Sequence, residues 1–284
     1  MIKRKLVVEF TKMSGNGNDF IVIDNRFYNF SDDELSNFAR RFCPRRTGIG
    51  ADGILAFKLP DDEKHHYRMK YYNADGSLGT MCGNGARCLA RFARNAGIIA
   101  EEMMIESDAG VYRATVSTQE DGPVRIYVQP PQGLEMNRLL QSQIVAPAHY
   151  IWTGTEHLVC FVNAVGAVPV DEWGSTLRND QALQPAGANV NFVEVISPGS
   201  DESPAQLKVR TFEKGVEGET LACGTGAMAS SVIASLSTSI ASNKVEVNMP
   251  GGTLGVGFER DGDGVQNLYL EGPVQTIYRG TTEI

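Results

Sequence analysis

The chain has no Cys-x-x-Cys pair and no His-x₃-His pair, and it holds only four histidines. Those absences remove the spacings that build structural zinc sites and the adjacent thiols of a disulfide oxidoreductase. Its five cysteines, at 43, 82, 88, 160 and 223, are too few and too scattered for a secreted disulfide scaffold. Long hydrophobic runs are missing as well. Nothing approaches the ~20 apolar residues of a membrane span. The first apolar run stops after three residues at Glu9, too short for a signal-peptide core. Positive charge is in deficit, with 26 Lys and Arg against 34 Asp and Glu and a net charge of −8. The one dense basic run is Lys3-Arg4-Lys5, which argues against a nucleic-acid surface. No phosphate-cradling strand–loop–helix unit and no low-complexity tract is present. What remains is a cytoplasmic protein with reduced thiols and a small-molecule partner, with neither nucleic acid, membrane nor metal expected.

What is there is ordinary in amount and unusual in arrangement. At 284 residues, 42% hydrophobic and 21% charged, the chain is long enough for two domains with real cores. Strand-like runs with alternating burial cover 6–10, 20–24, 53–57, 67–73, 103–107, 111–117 and 124–129. The second half repeats the style at 157–163, 189–196, 207–213, 244–249 and 268–272. Helices are fewer. Ser31 is a cap for a helix with acids in its first turn and bases in its last. Residues 84–96 put Cys88, Leu89, Phe92 and Ala96 on one face before Gly97. Residues 225–241 form a small-residue helix predicted to be buried all round, and a shorter one is expected near 171–181. Each half thus carries many strands and one apolar helix. The pattern predicts an α+β fold with two similar domains, divided near Pro130-Pro131 into 1–130 and 131–273, with 274–284 returning to the first.

Each apolar helix starts just after Cys-Gly-x-Gly-Ala, at Cys82 and again at Cys223. A helix N-terminus exposes unpaired N–H groups and positive partial charge. A thiol there should ionise more easily, and the N–H groups can hold a carboxylate. Glycine beside the sulfur leaves the backbone approachable by a ligand. A substrate clamped between two such helix starts would see one sulfur on each face of its α-carbon. One sulfur removes the proton and the other returns a proton from the opposite side, which inverts the centre by general acid–base catalysis. No cofactor is needed. A lone cysteine is more often a core residue, and Cys43, Cys88 and Cys160 are read that way. Two sulfurs that flank one carbon should also join under mild oxidation.

Five segments carry a resemblance: 12–24 (KMSGNGNDFIVID), 45–55 (RRTGIGADGIL), 72–88 (YNADGSLGTMCGNGARC), 188–195 (ANVNFVEV) and 209–227 (VRTFEKGVEGETLACGTGA). Taken together they resemble the diaminopimelate epimerase family, pyridoxal-independent isomerases. The resemblance implies conversion of LL-diaminopimelate to the meso isomer, on the way to lysine and peptidoglycan precursors. It implies two pseudo-symmetric α+β domains, each a curved, mainly antiparallel sheet around a central helix, and often a homodimer. By resemblance Cys82 is the proton donor and Cys223 the acceptor for the LL substrate. Gly83, Asn84, Gly224 and Thr225 match the clamp on the reacting carboxylate. Asn18, Asn73 and Asn189 match contacts to substrate, including its distal end. His157 and Glu213 match residues that tune the cysteines. Asp19 is read as a turn residue, Arg45 and Arg46 as structural or surface residues, and His65 and His66 as exposed loop residues.

The departures from the family pattern lie on the substrate side. Lys214 stands where arginine is usual, giving a point charge for a planar fork. Thr155-Glu156-His157 stands where Asn-Pro-His is common, and Glu156 brings negative charge toward an anion site unless it points away. Gly53 replaces a glutamine of some members. These changes leave open a racemase for another amino acid, such as histidine, and a binding protein without turnover.

Overall fold

The computed structural model describes residues 6–79, 82–119, 122–145, 147–237, 239–262 and 264–284. Met81 of the 72–88 segment and the Lys3-Arg4-Lys5 run lie outside the described residues. The chain forms two units, Met1–Ile126 with Gly272–Ile284, and Tyr127–Glu271.

In the first unit, β1 (Val7–Gly15) and β2 (Asn18–Asp24) are an antiparallel hairpin. Its turn is Asn16-Gly17, with φ of 50° and 90°, the left-handed pair that matches the twist of a two-residue hairpin. A single turn, α1 (Asn25–Tyr28), precedes α2 (Asp32–Phe42), and β3 (Gly53–Lys58) then lies parallel to β2. β4 (Tyr67–Asn73) runs antiparallel to β3, and the short β5 (Leu78–Gly79) folds back on it. After α3 (Gly83–Asn95), β6 (Glu102–Ser107) joins β4 in parallel and β7 (Gly110–Val116) pairs antiparallel with β6. β8 (Val124–Tyr127) follows.

The second unit repeats that order. β9 (Gln132–Glu135) pairs with β10 (Ala148–Trp152), which forms a hairpin with β11 (Glu156–Phe161). A crossover through α4 (Val170–Arg178) leads to β12 (Asn189–Ser197), parallel to β11. β13 (Ala205–Glu213) returns antiparallel, and the short β14 (Gly218–Thr220) folds back on it. After α5 (Gly224–Leu236), β15 (Lys244–Met249) joins β13 in parallel. β16 (Gly252–Asp261) and β17 (Gly264–Gly272) complete the antiparallel run. The last strand, β18 (Gln275–Glu283), belongs to the first unit and pairs antiparallel with β1. Both units are therefore a hairpin, an outer helix on a crossover to a parallel strand, a returning strand with a short flap, and then a central helix.

Strand alternation explains how one sheet serves two cores. On β11, Val159 joins the cluster with α5, while Leu158 and Cys160 join the cluster with α4. On β2 and β3, Ile21, Ile23, Ile54 and Ala56 face α2. Phe20 and Leu55 point the other way and meet the first turn of α3. Ser31 caps α2 with a reciprocal box: Glu34 N–H donates to Ser31 Oγ at 3.3 Å and Ser31 N–H to Glu34 Oε2 at 2.9 Å. Such a cap contributes about 1 kcal/mol.

Two expectations change. α3 is not buried on one face only: Arg87 and Arg91 are inside as well, at 0% and 3% exposure, with Phe92 only half-buried. The helix predicted to reach 241 ends at Leu236, because Ser239 N–H turns back to the carbonyl of Ala234.

Candidate active site

Cysteine is a poor helix cap, because its sulfur is a weak acceptor where Ser, Thr, Asp or Asn is preferred. Yet each central helix begins on one. Cys82 caps α3 with φ −136° and ψ 109°, and Cys223 caps α5 with φ −124° and ψ 104°. The two units thus deliver a sulfur in the same backbone conformation.

In the first unit the N–H of Gly85 donates to Cys82 Sγ at 3.4 Å. Asn84, the second residue of the helix, is tied from both sides. Its Nδ2 donates to Asn18 Oδ1 at 2.6 Å, and its Oδ1 accepts from Arg87 Nη2 at 2.9 Å. Asn18 Nδ2 in turn donates to Asp52 Oδ2 at 3.0 Å. Asp52 and Asp19 share Arg45, at 2.6 and 2.7 Å, and Lys12 closes on Asp19 at 2.7 Å. Burial alone would raise the Asp19 carboxyl, but hydrogen bonds from Arg45 and Lys12 hold it down to about 2. Asp19 is therefore an ion-pair residue, and the turn is made by Asn16 and Gly17. Gly83 is the first residue of α3. Asn73 ends β4, accepting from Tyr71 Oη at 2.8 Å and donating to Ser77 Oγ at 3.0 Å. Burial, with Cys82 nearby, pushes the Tyr71 phenol up.

In the second unit Cys223 is buried and its Sγ lies 3.4 Å from Thr225 Oγ1. Burial and then the Glu213 carboxylate raise its thiol to about 11, against the lowering effect of Thr225 and the N–H groups of Gly226 and Thr225. The helix start lowers this thiol, but desolvation outweighs it. Glu213 is itself pushed up by burial. Nearby, the departures meet one another. Lys214 Nζ is 2.5 Å from Glu156 Oε2, and Thr155 Oγ1 donates to the same oxygen at 3.1 Å. Glu156 is held below its usual range by Lys214 against the opposing effect of burial. Asn189 Oδ1 accepts from the Lys214 N–H at 2.8 Å and its Nδ2 donates to the Glu156 carbonyl at 3.2 Å. His157 is fully buried, which takes it down to about 3, with the Lys214 charge adding to the effect.

The second glycine of each unit makes room inside the protein. A methyl group at Gly85 would crowd Leu55 and Phe20, and one at Gly226 would collide with Asn191 Oδ1. Here the small residue admits the protein's own side chains to the helix start.

The comparisons decide the family. A profile described as "Diaminopimelate epimerase" matches residues 10–132 and 149–277. The diaminopimelate epimerase of Chlorobaculum tepidum is 41% identical over 274 residues, covering 95% of this chain and 99% of that one. That of Aquifex aeolicus is 37% identical, covering 96% and 97%. The chain belongs to the diaminopimelate epimerase family.

Membership makes it an isomerase. The fold reaches further. A phenazine biosynthesis protein of the PhzF family from Bacillus anthracis superposes with TM-score 0.73 at 14% identity, covering 98% of this chain and 100% of that chain. A hydroxyproline epimerase from Agrobacterium vitis gives 0.67 at 16%, covering 99% and 92%. At such identities the likeness concerns architecture, the α+β fold with a central helix in each unit. No helix among the described residues is long and apolar enough to cross a membrane. Within the first unit the structure brings together Cys82, Gly83, Asn84 and Asn18; within the second, Thr155, His157, Asn189 and Lys214 gather, and the Glu213 charge acts on Cys223. Asn73 is held by Tyr71 and Ser77. Sequence reasoning passed over Arg87 and Asn191, both fully buried beside this epimerase-family constellation. For Asn191 the signal was an asparagine two residues after Asn189, flanked by Val190 and Phe192 on a mostly apolar strand.

Proposed function

We propose that this protein interconverts LL- and meso-diaminopimelate without a cofactor, moving protons through Cys82 and Cys223. The observation that carries the reading is the pair of cysteine caps, alike in backbone conformation, in a chain of this family. Cys223, as thiolate, takes the α-proton of the LL substrate: the C–H bond breaks, an S–H bond forms, and the electron pair moves into the α-carboxylate. Cys82, as thiol, gives its proton to the opposite face and is left as thiolate. The reverse reaction exchanges the roles. N–H groups of Gly83, Asn84, Gly224 and Thr225 hold the carboxylate and stabilise the charge it gains. Glu213, with a carboxyl raised by burial, accepts the Cys223 proton beforehand. His157 tunes the same helix start as a neutral ring. Asn18, Asn73, Asn189, Thr155 and Lys214 hold the distal amino-acid end.

The reading extends to the cytoplasm, to a step toward lysine and peptidoglycan precursors, and to a homodimer, which a single monomeric species in sedimentation would refute. The Glu156–Lys214 pair favours a second reading, because a lysine tied to the chain's own carboxylate is less available to a distal carboxylate. That reading keeps the two cysteines and takes a monoamino acid such as histidine. Deuterium wash-in at the α-carbon, from D₂O and without added cofactor, tests both across a panel of amino acids. Rapid exchange with LL-diaminopimelate supports the first; exchange confined to a monoamino acid supports the second. Binding with no exchange by the reduced protein sinks both.

A further inference from the structure

Asn191 lies inside β12, fully buried, two residues after Asn189. Its carboxamide has only one orientation that its partners allow. The carbonyl of Leu158 can only accept, so the atom 3.0 Å from it is the amide nitrogen. The same nitrogen stands 3.0 Å from His157 Nδ1. Thr211 Oγ1 donates to Asn191 Oδ1 at 2.9 Å, which completes the set. An N–H aimed at a ring nitrogen requires a lone pair there. His157 Nδ1 is therefore unprotonated, and Nε2 carries the hydrogen. That Nε2 is buried and has no partner among the described residues. Asn191 also touches the start of α5: a methyl at Gly226 would collide with its Oδ1 and stand 3.3 Å from Cys223 Sγ.

We propose that Asn191 is a positioning residue that locks His157 in its Nε2–H tautomer, so that His157 serves as a neutral hydrogen-bond donor to an anionic acceptor and not as a base. The use in turnover rests on the epimerase reading; the lock on the ring does not. A ring whose acceptor nitrogen is occupied cannot take a proton there, and a buried donor without a partner is complete only when an acceptor arrives. The plain structural role, tying β11 to β12, would leave the tautomer unselected.

Imidazole ¹⁵N NMR of the histidine-labelled protein tests this. Four histidines give a tractable spectrum, and His157→Gln assigns the ring. The expected wild-type signal is a protonated Nε2 with an unprotonated Nδ1, unchanged in Thr211→Val. In Asn191→Asp the carboxylate accepts at that position, so the hydrogen moves to Nδ1 and kcat falls by about 10²-fold, with KM changing far less. Saturating diaminopimelate should shift the Nε2–H resonance if a substrate carboxylate is the acceptor; raising pH without ligand should shift it if the thiolate is. No shift in either arm overturns the donor role. A wild-type ring protonated at Nδ1 overturns the lock, and so does an Asn191→Asp ring still protonated at Nε2. If Asn191→Asp does not fold, the wild-type ring decides alone. A correct tautomer with no α-hydrogen exchange sinks the epimerase reading and the catalytic use, and leaves the lock standing.

Discussion

Replacing Cys82 by serine should make the protein more stable and nearly inactive, and the two effects arise from one position. Cys82 caps α3 through a sulfur that receives the Gly85 N–H at 3.4 Å. Serine is a preferred cap and the better acceptor: Ser31 Oγ accepts from the Glu34 N–H at 3.3 Å in the same protein. Replacing a residue without a good acceptor by serine is worth about 0.5–2 kcal/mol at such sites. Because the sulfur already supplies part of that bond, the gain expected for Cys82→Ser is about 0.5–1 kcal/mol. In a chain of this size it appears as about 1–3 °C in a thermal melt followed by circular dichroism. The catalytic effect has the opposite sign. A hydroxyl is a far weaker acid than a thiol, so the proton delivered to the carbanion is lost, and loss of one general acid or base lowers turnover by about 10²–10⁴-fold. The assay is deuterium wash-in at the α-carbon, run beside the melt on one preparation. Turnover within tenfold of wild type would refute a proton-carrying role for Cys82. A melt several degrees lower would refute the argument that cysteine is held here at the expense of the cap.

Glu213→Gln should separate reactivity from turnover: the Glu213 carboxylate disfavours the Cys223 thiolate, so its removal lets iodoacetamide label Cys223 faster at pH 8 while α-hydrogen exchange falls. Unchanged labelling would place Glu213 outside the reach of the sulfur. Lys214→Met should raise KM for diaminopimelate by about tenfold with kcat little altered, the signature of lost uniform binding; an unchanged KM means that Lys214 serves only Glu156. Asp19→Asn removes a carboxylate whose folded value, about 2, lies below its ordinary 3.8. The stability it contributes is present above about pH 4 and is lost as pH falls through about 2, so the variant should lose about 1–2 kcal/mol at pH 7, allowing for solvent screening, and converge with wild type in acid. Chemical unfolding of both proteins across that range is the check, and a deficit that persists at pH 2 refutes the linkage.

How much of this was legible in the sequence depends on whether a signal is local. The Asn-Gly turn at Asn16-Gly17, the Ser31 box and the alternating strands announce themselves within a few residues. β9, β10, β16 and β18 were passed over because they are mostly exposed, glycine-bearing or not alternating: β9 is exposed throughout and β18 nearly so. Their strand character comes from the neighbour each one pairs with. The burial of α3 on all sides was hidden for a related reason. An arginine gives no local sign of burial, yet Arg91 donates to the carbonyls of Ser117 and Gly122, at 2.9 and 2.8 Å, which lie far along the chain.

The site divides in the same way. Cys-Gly-x-Gly-Ala marks both sulfurs, since cap position, glycine and helix are all adjacent in sequence. The electrostatics around them are not adjacent and were read with the wrong sign for Cys223. The N–H groups at the helix start still lower this thiol, but α5 is buried so thoroughly that desolvation outweighs them. The consequence bears on mechanism. A thiol near 11 is a strong base once its proton is gone, which suits removal of a weakly acidic α-hydrogen, but it needs a neighbour to take that proton. In the proposed mechanism that neighbour is Glu213, whose carboxyl is raised by burial. The departures at Thr155, Glu156 and Lys214 then make sense as one change, because the negative charge brought by Glu156 is answered by Lys214 and Thr155 in direct contact. A reading of each position against a family pattern counts three losses; the geometry within the second unit shows a single compensated exchange.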